Sequence, residues 1–337
     1  MKIGLTFDLR SDYLAAGYDE LETAEFDRED TIDALETAIK GLGHTTDRIG
    51  NVRRLIERLA RGNRWDLVFN IAEGINGIGR EAQVPAILDV YNIPYTFSDP
   101  LVMSLTLHKG MTKRVIRDAK IPTSDFWVVE KEGDERSVTF PPPYFIKPVA
   151  EGTGKGVSPH SILHHHRDLA AACGVMGRTY NQPVLVERYF SGREFTVGII
   201  GTGADAEVLG TVEVILLAGA EAGVYSYVNK ARCEELVKYR SVRSSEEPLI
   251  QETENIALNA WQVLGCRDAG RVDIRCDEAG QPYFLEINAL AGLHPDHSDL
   301  PIICKGNSLS YEVLIERILA SALKRINRNK LPKRKET

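Results

Sequence analysis

A chain of 337 residues has room for two or three domains of about 100–200 residues each, and 43% hydrophobic with 26% charged residues is the balance of a globular protein with a real core. Its 41 Lys and Arg against 48 Asp and Glu leave a net charge of −7, which argues against a general nucleic-acid binder with its basic stripe. No apolar run approaches the ~20 residues of a bilayer span, Asp8 comes too early for a secretion signal, and five scattered cysteines without a C-x-x-C pair exclude a disulfide scaffold or zinc finger, so a reducing cytoplasm is expected, with no membrane or nucleic-acid partner.

Lys2–Phe7 reads as a strand. Asp27–Leu42 reads as a helix, with Ile32, Leu35, Ile39 and Leu42 along one face and Gly43 as its stop. Asp66–Ile71 is a short apolar run of the kind buried on both faces, Glu81–Tyr91 is helical, and Ile93–Thr96 starts another extended piece. This βα alternation predicts a parallel-sheet domain over residues 1–100. Pro141–Pro143 then breaks the chain before Tyr144–Pro148, and a glycine-rich loop follows, Glu151-Gly152-Thr153-Gly154-Lys155-Gly156. Pro183–Phe190, Glu194–Ile200 and Thr211–Leu217 read as strands. Residues 218–245 show no period, which predicts a structureless connection that is functional and mobile without ligands. Glu246–Leu264 is an amphipathic helix, Tyr311–Ile326 closes the fold, and Asn327–Thr337 reads as a frayed basic tail.

Near the C-terminus, Arg271–Cys276 and Phe284–Asn288 alternate polar and apolar around the turn-like Asp277–Pro282. With the loop centred between Ala279 and Gly280, Asp273 falls opposite Glu286 and Arg271 opposite Asn288, with Cβ atoms about 4.5–5.5 Å apart. Two carboxylates so close repel unless a cation lies between them, and with an amide oxygen they suit Mg²⁺. The arginine beside them can neutralise charge developing on a reacting group. A solvated hairpin shows the same alternation. Lys147 ends a strand, and the glycines after it leave backbone N–H groups free for an anion, although this is neither a Walker A loop nor a dinucleotide fingerprint. In Val184–Val197 a strand ends at Glu187, turns, and re-enters a strand at Glu194; a glutamate there can hold a ribose diol, and an ordinary hairpin with charged ends reads the same way.

In order and spacing, Lys147-Pro148, the glycine loop, Glu187, Glu194, Arg271-x-Asp273 and Glu286-x-Asn288 resemble the ATP-grasp superfamily, and within it the D-alanine–D-alanine ligases, over roughly residues 1–325. Glu73-Gly74 to Gln83 resembles that family's glycine-rich stretch before a helix, and Ile93–Thr96 with His108-Lys109 its L-P-Y-T and D-K pair. The resemblance implies an α/β (α+β) fold: an N-terminal parallel-sheet domain at 1–100, a central ATP-grasp subdomain at 101–190, a C-terminal one with the metal and substrate site at 191–326, and the tail at 327–337. It implies ATP with Mg²⁺, Mn²⁺ being an alternative, and a homodimer acting on amino acids or small carboxylic acids. Lys109 and Lys147 correspond to the lysines on the ATP phosphates, with Glu151, Gly152, Thr153 and Gly154 in the loop beside them. Glu187 corresponds to the ribose acid, Arg188 and Phe190 to the adenine-lining residues, Glu194 to a further nucleotide-site acid, and Lys230 to the lysine of a loop closing over the γ-phosphate. Asp273, Glu286 and Asn288 match the Mg²⁺ ligands, Arg271 the arginine that stabilises the tetrahedral intermediate, and Gly292 the oxyanion-hole glycine.

Departures from that pattern fall on the amino-acid side. The glutamate that binds the donor amine has no clear counterpart, Glu25, Asp27 and Glu29 being the choices. The family's histidine falls at Glu73, its loop serine at Thr153, and the tyrosine after the loop lysine at Ala231. The N-T-x-P-G-x-T motif reads Asn288–Asp299 with His294, Ser298 and Asp299 as acceptor-site residues, a structural histidine being the alternative for His294. His164-His165-His166 is read as a solvated helix start, since three consecutive residues cannot share one helix face. The expected reaction is an ATP-dependent carboxylate–amine ligation through an acylphosphate. D-alanyl-D-alanine is not expected to be the best product, and a cationic group of the second substrate is expected at Asp296 or Asp299. The alternatives are a ligase for other small acids in secondary metabolism and a nucleotide-binding protein without catalysis.

Overall fold

The computed structural model of the chain describes residues 1–330. Strands β1 (Lys2–Thr6), β2 (Thr45–Gly50) and β3 (Leu67–Asn70) form a parallel sheet in the order β2-β1-β3. β3 and all of β1 after Lys2 are buried, which is why both read as apolar runs. The helix Glu29–Gly41 buries Ile32, Leu35 and Ile39, and Gly43 follows it at φ +80°, where a side chain would strain the turn. The extended piece at Ile93–Thr96 is a single parallel bridge between Val68 and Tyr95 rather than a strand.

Two antiparallel sheets follow. β4 (Phe126–Val129), β5 (Tyr144–Pro148), β6 (Ile162–Leu163) and β7 (Val184–Arg188) run in the order β4-β7-β5-β6. β8 (Glu194–Ile200), β9 (Glu207–Leu216), β10 (Val237–Val242), β11 (Ala269–Cys276) and β12 (Pro282–Asn288) run in the order β10-β9-β8-β11-β12. The centre of this second sheet is sealed by Phe195, Val197, Ile199, Val272 and Ile274 against Trp261 of the helix Pro248–Leu264. Each such fully buried side chain contributes about 1.5–3 kcal/mol. Gly270 has no room for a side chain, since a Cβ would lie 2.6 Å from the Trp261 ring, and this close approach seats β11 just before Arg271. The final helix, Tyr311–Lys330, leaves its own sheet and buries Leu314, Ile315 and Ile318 in one core with Ile32, Leu35 and Ile39.

The two antiparallel sheets are stitched together at one edge. Phe284 N–H donates to the Pro122 carbonyl at 2.8 Å, and the Thr123 hydroxyl donates to the Phe284 carbonyl at 3.0 Å. This leaves a cleft between β5/β7 and β11/β12.

Some expectations are corrected. Residues 218–245 are not structureless: they hold the short helices Tyr227–Ala231 and Cys233–Leu236 and the edge strand β10. Each element is too short to repeat a period, and β10 buries only its two ends, so no alternation shows in the sequence. The strand expected at Thr211–Leu217 begins earlier, at Glu207. The closing helix continues to Lys330, so the start of the expected tail is helical; 331–337 lie outside the described residues. Among the described residues no helix is long and apolar enough to cross a membrane, and all five cysteines are buried and unpaired.

Candidate active site

The β11–β12 hairpin carries the site, and its register follows from its alternation. Asp273 pairs with Glu286, Arg271 with Asn288, and a one-residue bulge then shifts Ile274 onto Phe284. The hairpin faces two spaces at once. Asp273 and Glu286 line the cleft between the sheets, while Arg271 and Asn288 line a second cavity of about 530 Å³ toward the N-terminal domain. Lys109, Glu151, Tyr225 and Lys230 line both.

In the cleft, charges come in closed pairs. Lys147 Nζ lies 3.0 Å from Glu187 and 3.2 Å from Glu286. Burial works against the lysine's charge, but the two carboxylates outweigh it and hold its pKa above the usual lysine value. Burial would likewise raise Glu286; Lys147, Lys109 and Lys230 overcome it and keep this carboxyl well below its ordinary range. Across the hairpin the sign reverses. Burial, with the Glu286 charge added, raises Asp273 even though Arg271 opposes it. Asp273 accepts from the Thr196 hydroxyl at 3.0 Å and from the Arg271 guanidinium. Arg271 also reaches Asp299 at 3.1 Å, and the Asn288 amide lies against the same guanidinium. Lys109 donates to the Glu151 carbonyl at 2.5 Å, and burial pulls its pKa down.

The other positions implied by the resemblance distribute as follows. Glu187 is 1% exposed and both its oxygens face lysines, Lys113 at 2.6 Å and Lys147 at 3.0 Å, so its geometry is that of a group positioning Lys147 rather than of a free ribose acceptor. Glu194 lines the cleft and is paired with Arg275. Arg188 is exposed, its guanidinium 5.6 Å from the Phe190 ring, and Phe190 packs on Tyr283 at 4.6 Å between ring centres. The Phe190 carbonyl already accepts from Arg275 at 3.1 Å. Lys230 sits 4.6 Å from the centre of the Tyr225 ring.

The glycine loop divides the two spaces, with Gly154 and Lys155 toward the cleft and Gly152 and Thr153 toward the cavity. Gly152 N–H is not free for an anion: it donates to Glu25 at 2.6 Å. Gly154, at φ +76°, abuts the next loop so closely that a Cβ would lie 2.8 Å from Tyr227 N. Glu151 is held by Gln182 at 2.7 Å and Lys155 at 2.6 Å. The Thr153 hydroxyl is buried without a hydrogen-bond partner.

In the second cavity, Gly292 is exposed beside Ser298, whose hydroxyl accepts from His294 N–H at 2.9 Å. His294 lines the cavity and is also tied into its own turn. Its Nδ1 accepts from the backbone N–H of Asp296 at 3.2 Å and of His297 at 3.3 Å. Its Nε2 lies 3.3 Å from Asp30 and 2.7 Å from the Arg28 guanidinium. Asp296 is exposed and outside the cavity lining, 4.0 Å from Lys305, and Asp299 lines the cavity bound by Arg271. His164, His165 and His166 are exposed around the short 3₁₀ turn His166–Asp168. Among the described residues no three His, Cys, Asp or Glu side chains group as a metal site.

Of the three choices for the donor-amine acid, Glu29 points outward to Arg48 at 2.5 Å, and Glu25 is held by Arg80 at 2.7 Å. Asp27 lines the cavity, and burial, with Asp8 and Asp30 adding to it, pushes it up to about 8.

Several residues of the site carry no motif. Lys113 is 0% exposed and donates to Thr123 at 2.8 Å and Ser124 at 3.0 Å besides pairing with Glu187. Its one signal is the i, i+4 spacing from Lys109 on the helix Lys109–Asp118. Tyr225 and Tyr239 join hydroxyls at 2.5 Å next to Asp299, and Arg80 anchors Glu25 and the Ala150 carbonyl; nothing local in the sequence announces either.

Two antiparallel sheets closing on a lysine- and carboxylate-lined cleft, preceded by a parallel-sheet domain, define an ATP-grasp protein. Residues 115–320 match the family described as the D-ala D-ala ligase C-terminus. The D-alanine–D-alanine ligase of Bordetella petrii is 30% identical over 272 residues, covering 80% of this chain and 79% of that one. The Trichlorobacter lovleyi ligase of the same name is 31% identical over 293 residues, 86% and 88%. An uncharacterized protein of Sinorhizobium fredii is 32% identical over 300 residues, 87% of each. In fold, the Bacillus anthracis D-alanine–D-alanine ligase complexed with ATP superposes with a TM-score of 0.74 at 19% identity, over 98% of this chain and 99% of that one. The chain belongs to the D-alanine–D-alanine ligase family, ATP-dependent ligases that form an amide bond.

Proposed function

We propose that this protein activates a carboxylate as an acylphosphate with ATP and passes it to an amine, with Mg²⁺ held at Asp273, Glu286 and Asn288 and with an amino-acid pocket unlike one for D-alanine. The observation that carries the reading is the meeting of the cleft and the cavity at Lys109 and Lys230, with the hairpin facing both. A nucleotide in the cleft then delivers its γ-phosphate where a carboxylate in the cavity can reach it.

The donor carboxylate attacks the γ-phosphorus and ADP leaves. The amine attacks the acylphosphate carbonyl, loses a proton, and inorganic phosphate departs. Lys109, Lys147 and Lys230 neutralise the phosphates, and Lys230 rides on the 218–245 segment that closes over them. Arg271 and the Gly292 N–H serve the oxyanion. Glu151 to Gly154 border the phosphates, Arg188 and Phe190 border the adenine, and Glu194 takes the ribose, because Glu187 is occupied by two lysines. Positioning and charge neutralisation supply the rate.

The donor set suits a hard divalent cation: two opposed carboxylates and an amide, with burial and the Glu286 charge raising Asp273 until a cation relieves them. Mg²⁺, or Mn²⁺ in its place, screens phosphate charge when bound. The altered pocket is supported by position: Glu73, Thr153 and Ala231, three of the departures from the family pattern, all line the one cavity. A three-domain division at 1–100, 101–190 and 191–326 is consistent with one sheet in each, and a cytoplasmic homodimer rests on the resemblance.

Phosphate release from ATP, with product mass, across a panel of amino-acid pairs tests the reading. Pair-dependent release with a condensed product supports it. ATP binding without release for any pair leaves a nucleotide-binding protein instead.

A further inference from the structure

Most carboxylates lining the second cavity are paired, as Glu25 is with Arg80 at 2.7 Å and Asp299 with Arg271 at 3.1 Å. Three are not. The side chains of Asp27, Glu73 and Glu81 find no hydrogen bond or ion pair among the described residues, and Glu81 is only 9% exposed. They come from three separate stretches: the lead-in to the helix Glu29–Gly41, the segment after β3, and the 3₁₀ turn Arg80–Ala82. Each therefore reaches the cavity independently, and local chain geometry does not account for the group.

Carboxylates without an ion-pair partner in a largely buried pocket are costly, and they respond by keeping their protons. Burial, with Glu81 and Glu25 nearby, raises Glu73 well above its usual range against the charge of Arg80, and burial pushes Glu81 up to about 7 although Arg80 and Lys109 oppose it. One α-ammonium satisfies one of the three. The other two remain for a second cation.

We propose that this cavity selects an amino acid with a second cationic group on its side chain, an ammonium or guanidinium held among Asp27, Glu73 and Glu81. The inference rests on the ligase reading above and names the substrate class of that site. A neutral side chain leaves the carboxylates uncompensated; a dibasic one lets them ionise.

The test compares near-isosteric pairs, ornithine against norvaline and lysine against norleucine, both enantiomers and in either substrate position, by ADP release. The expected result is a kcat/KM at least 100-fold higher for the basic member, falling at least tenfold in Glu73→Gln and in Asp27→Asn. Equal or better turnover of the neutral member overturns the inference and leaves the ligase reading intact, with the three groups acting as protonated hydrogen-bond donors. Should either variant fail to fold, the unmodified protein's ratio still decides. Should no pair turn over, the ligase reading is decided by the wider amino-acid panel. Calorimetric titration of the ADP-bound protein with ornithine and norvaline then decides the charge preference alone: tighter ornithine binding upholds it, and equal or absent binding overturns it.

Discussion

The cleft and the cavity adjoin along one hairpin and treat charge in opposite ways. In the cleft, Lys147 is closed by Glu187 and Glu286, and Arg275 by Glu194, before any ligand arrives. In the cavity, Asp27, Glu73 and Glu81 stand without an ion pair or hydrogen bond among the described residues. A site for an invariant polyanion can be pre-built from protein pairs that exchange partners with the ligand. A site that discriminates among small molecules gains more by leaving its own charge for the substrate to complete.

The largest effect that separates the two regions is expected from Lys147→Ala. It leaves Glu286 without its ion-pair partner and Glu187 with Lys113 alone, and breaking such a buried pair costs about 3–5 kcal/mol. Thermal unfolding will show that loss, and calorimetry will show ATP affinity falling at least tenfold; unchanged ATP affinity removes Lys147 from the phosphate site. Arg271→Lys replaces a forked donor with a point charge, and kcat is expected to fall by about 10²–10³, roughly 3 kcal/mol, while ATP affinity holds in a binding assay. Lys113→Met should destabilise the fold by about 3 kcal/mol, since Glu187 loses one of two lysines. Adding Glu187→Gln should return part of that in denaturant titration; no return means the two residues are not energetically coupled.

The smallest effect belongs to the cavity. Native Glu81 keeps its proton to about pH 7, while the unfolded chain releases it near 4.5. Between those values the native state binds more protons, so stability falls as pH rises. Glu81→Gln is expected to flatten that slope, with Asp27, up to about pH 8, and Glu73 leaving a residual decline. Unfolding midpoints across pH 4.5–8 check it, and an unchanged slope means Glu81 is ionised in the free protein.

The same contrast governs how much could be seen in the chain alone. Period-2 alternation with a turn of known centre places Asp273 opposite Glu286 from the sequence, because register is a local property of a hairpin. The strands β1, β3, β5, β7 and β8 were legible for the same reason, each being a run whose burial follows its pattern. The cavity was not legible. Glu25 meets Arg80 and the glycine loop across long separations, and Lys113 is one lysine among many until the fold buries it. His294, Asp296 and Asp299 drew attention by composition, yet the fold spends His294 on its own turn and Asp299 on Arg271. Charge that is satisfied inside the protein looks, in sequence, the same as charge awaiting a ligand.

The central claim is that a carboxylate in the cavity is phosphorylated from the cleft. Isotope transfer tests it most directly: with the donor amino acid labelled with ¹⁸O in its carboxylate, the inorganic phosphate released in a productive turnover is analysed by mass spectrometry. The account predicts one ¹⁸O atom in each phosphate, carried over when the acylphosphate carbonyl is attacked. Unlabelled phosphate alongside condensed product, or AMP in place of ADP, would contradict it.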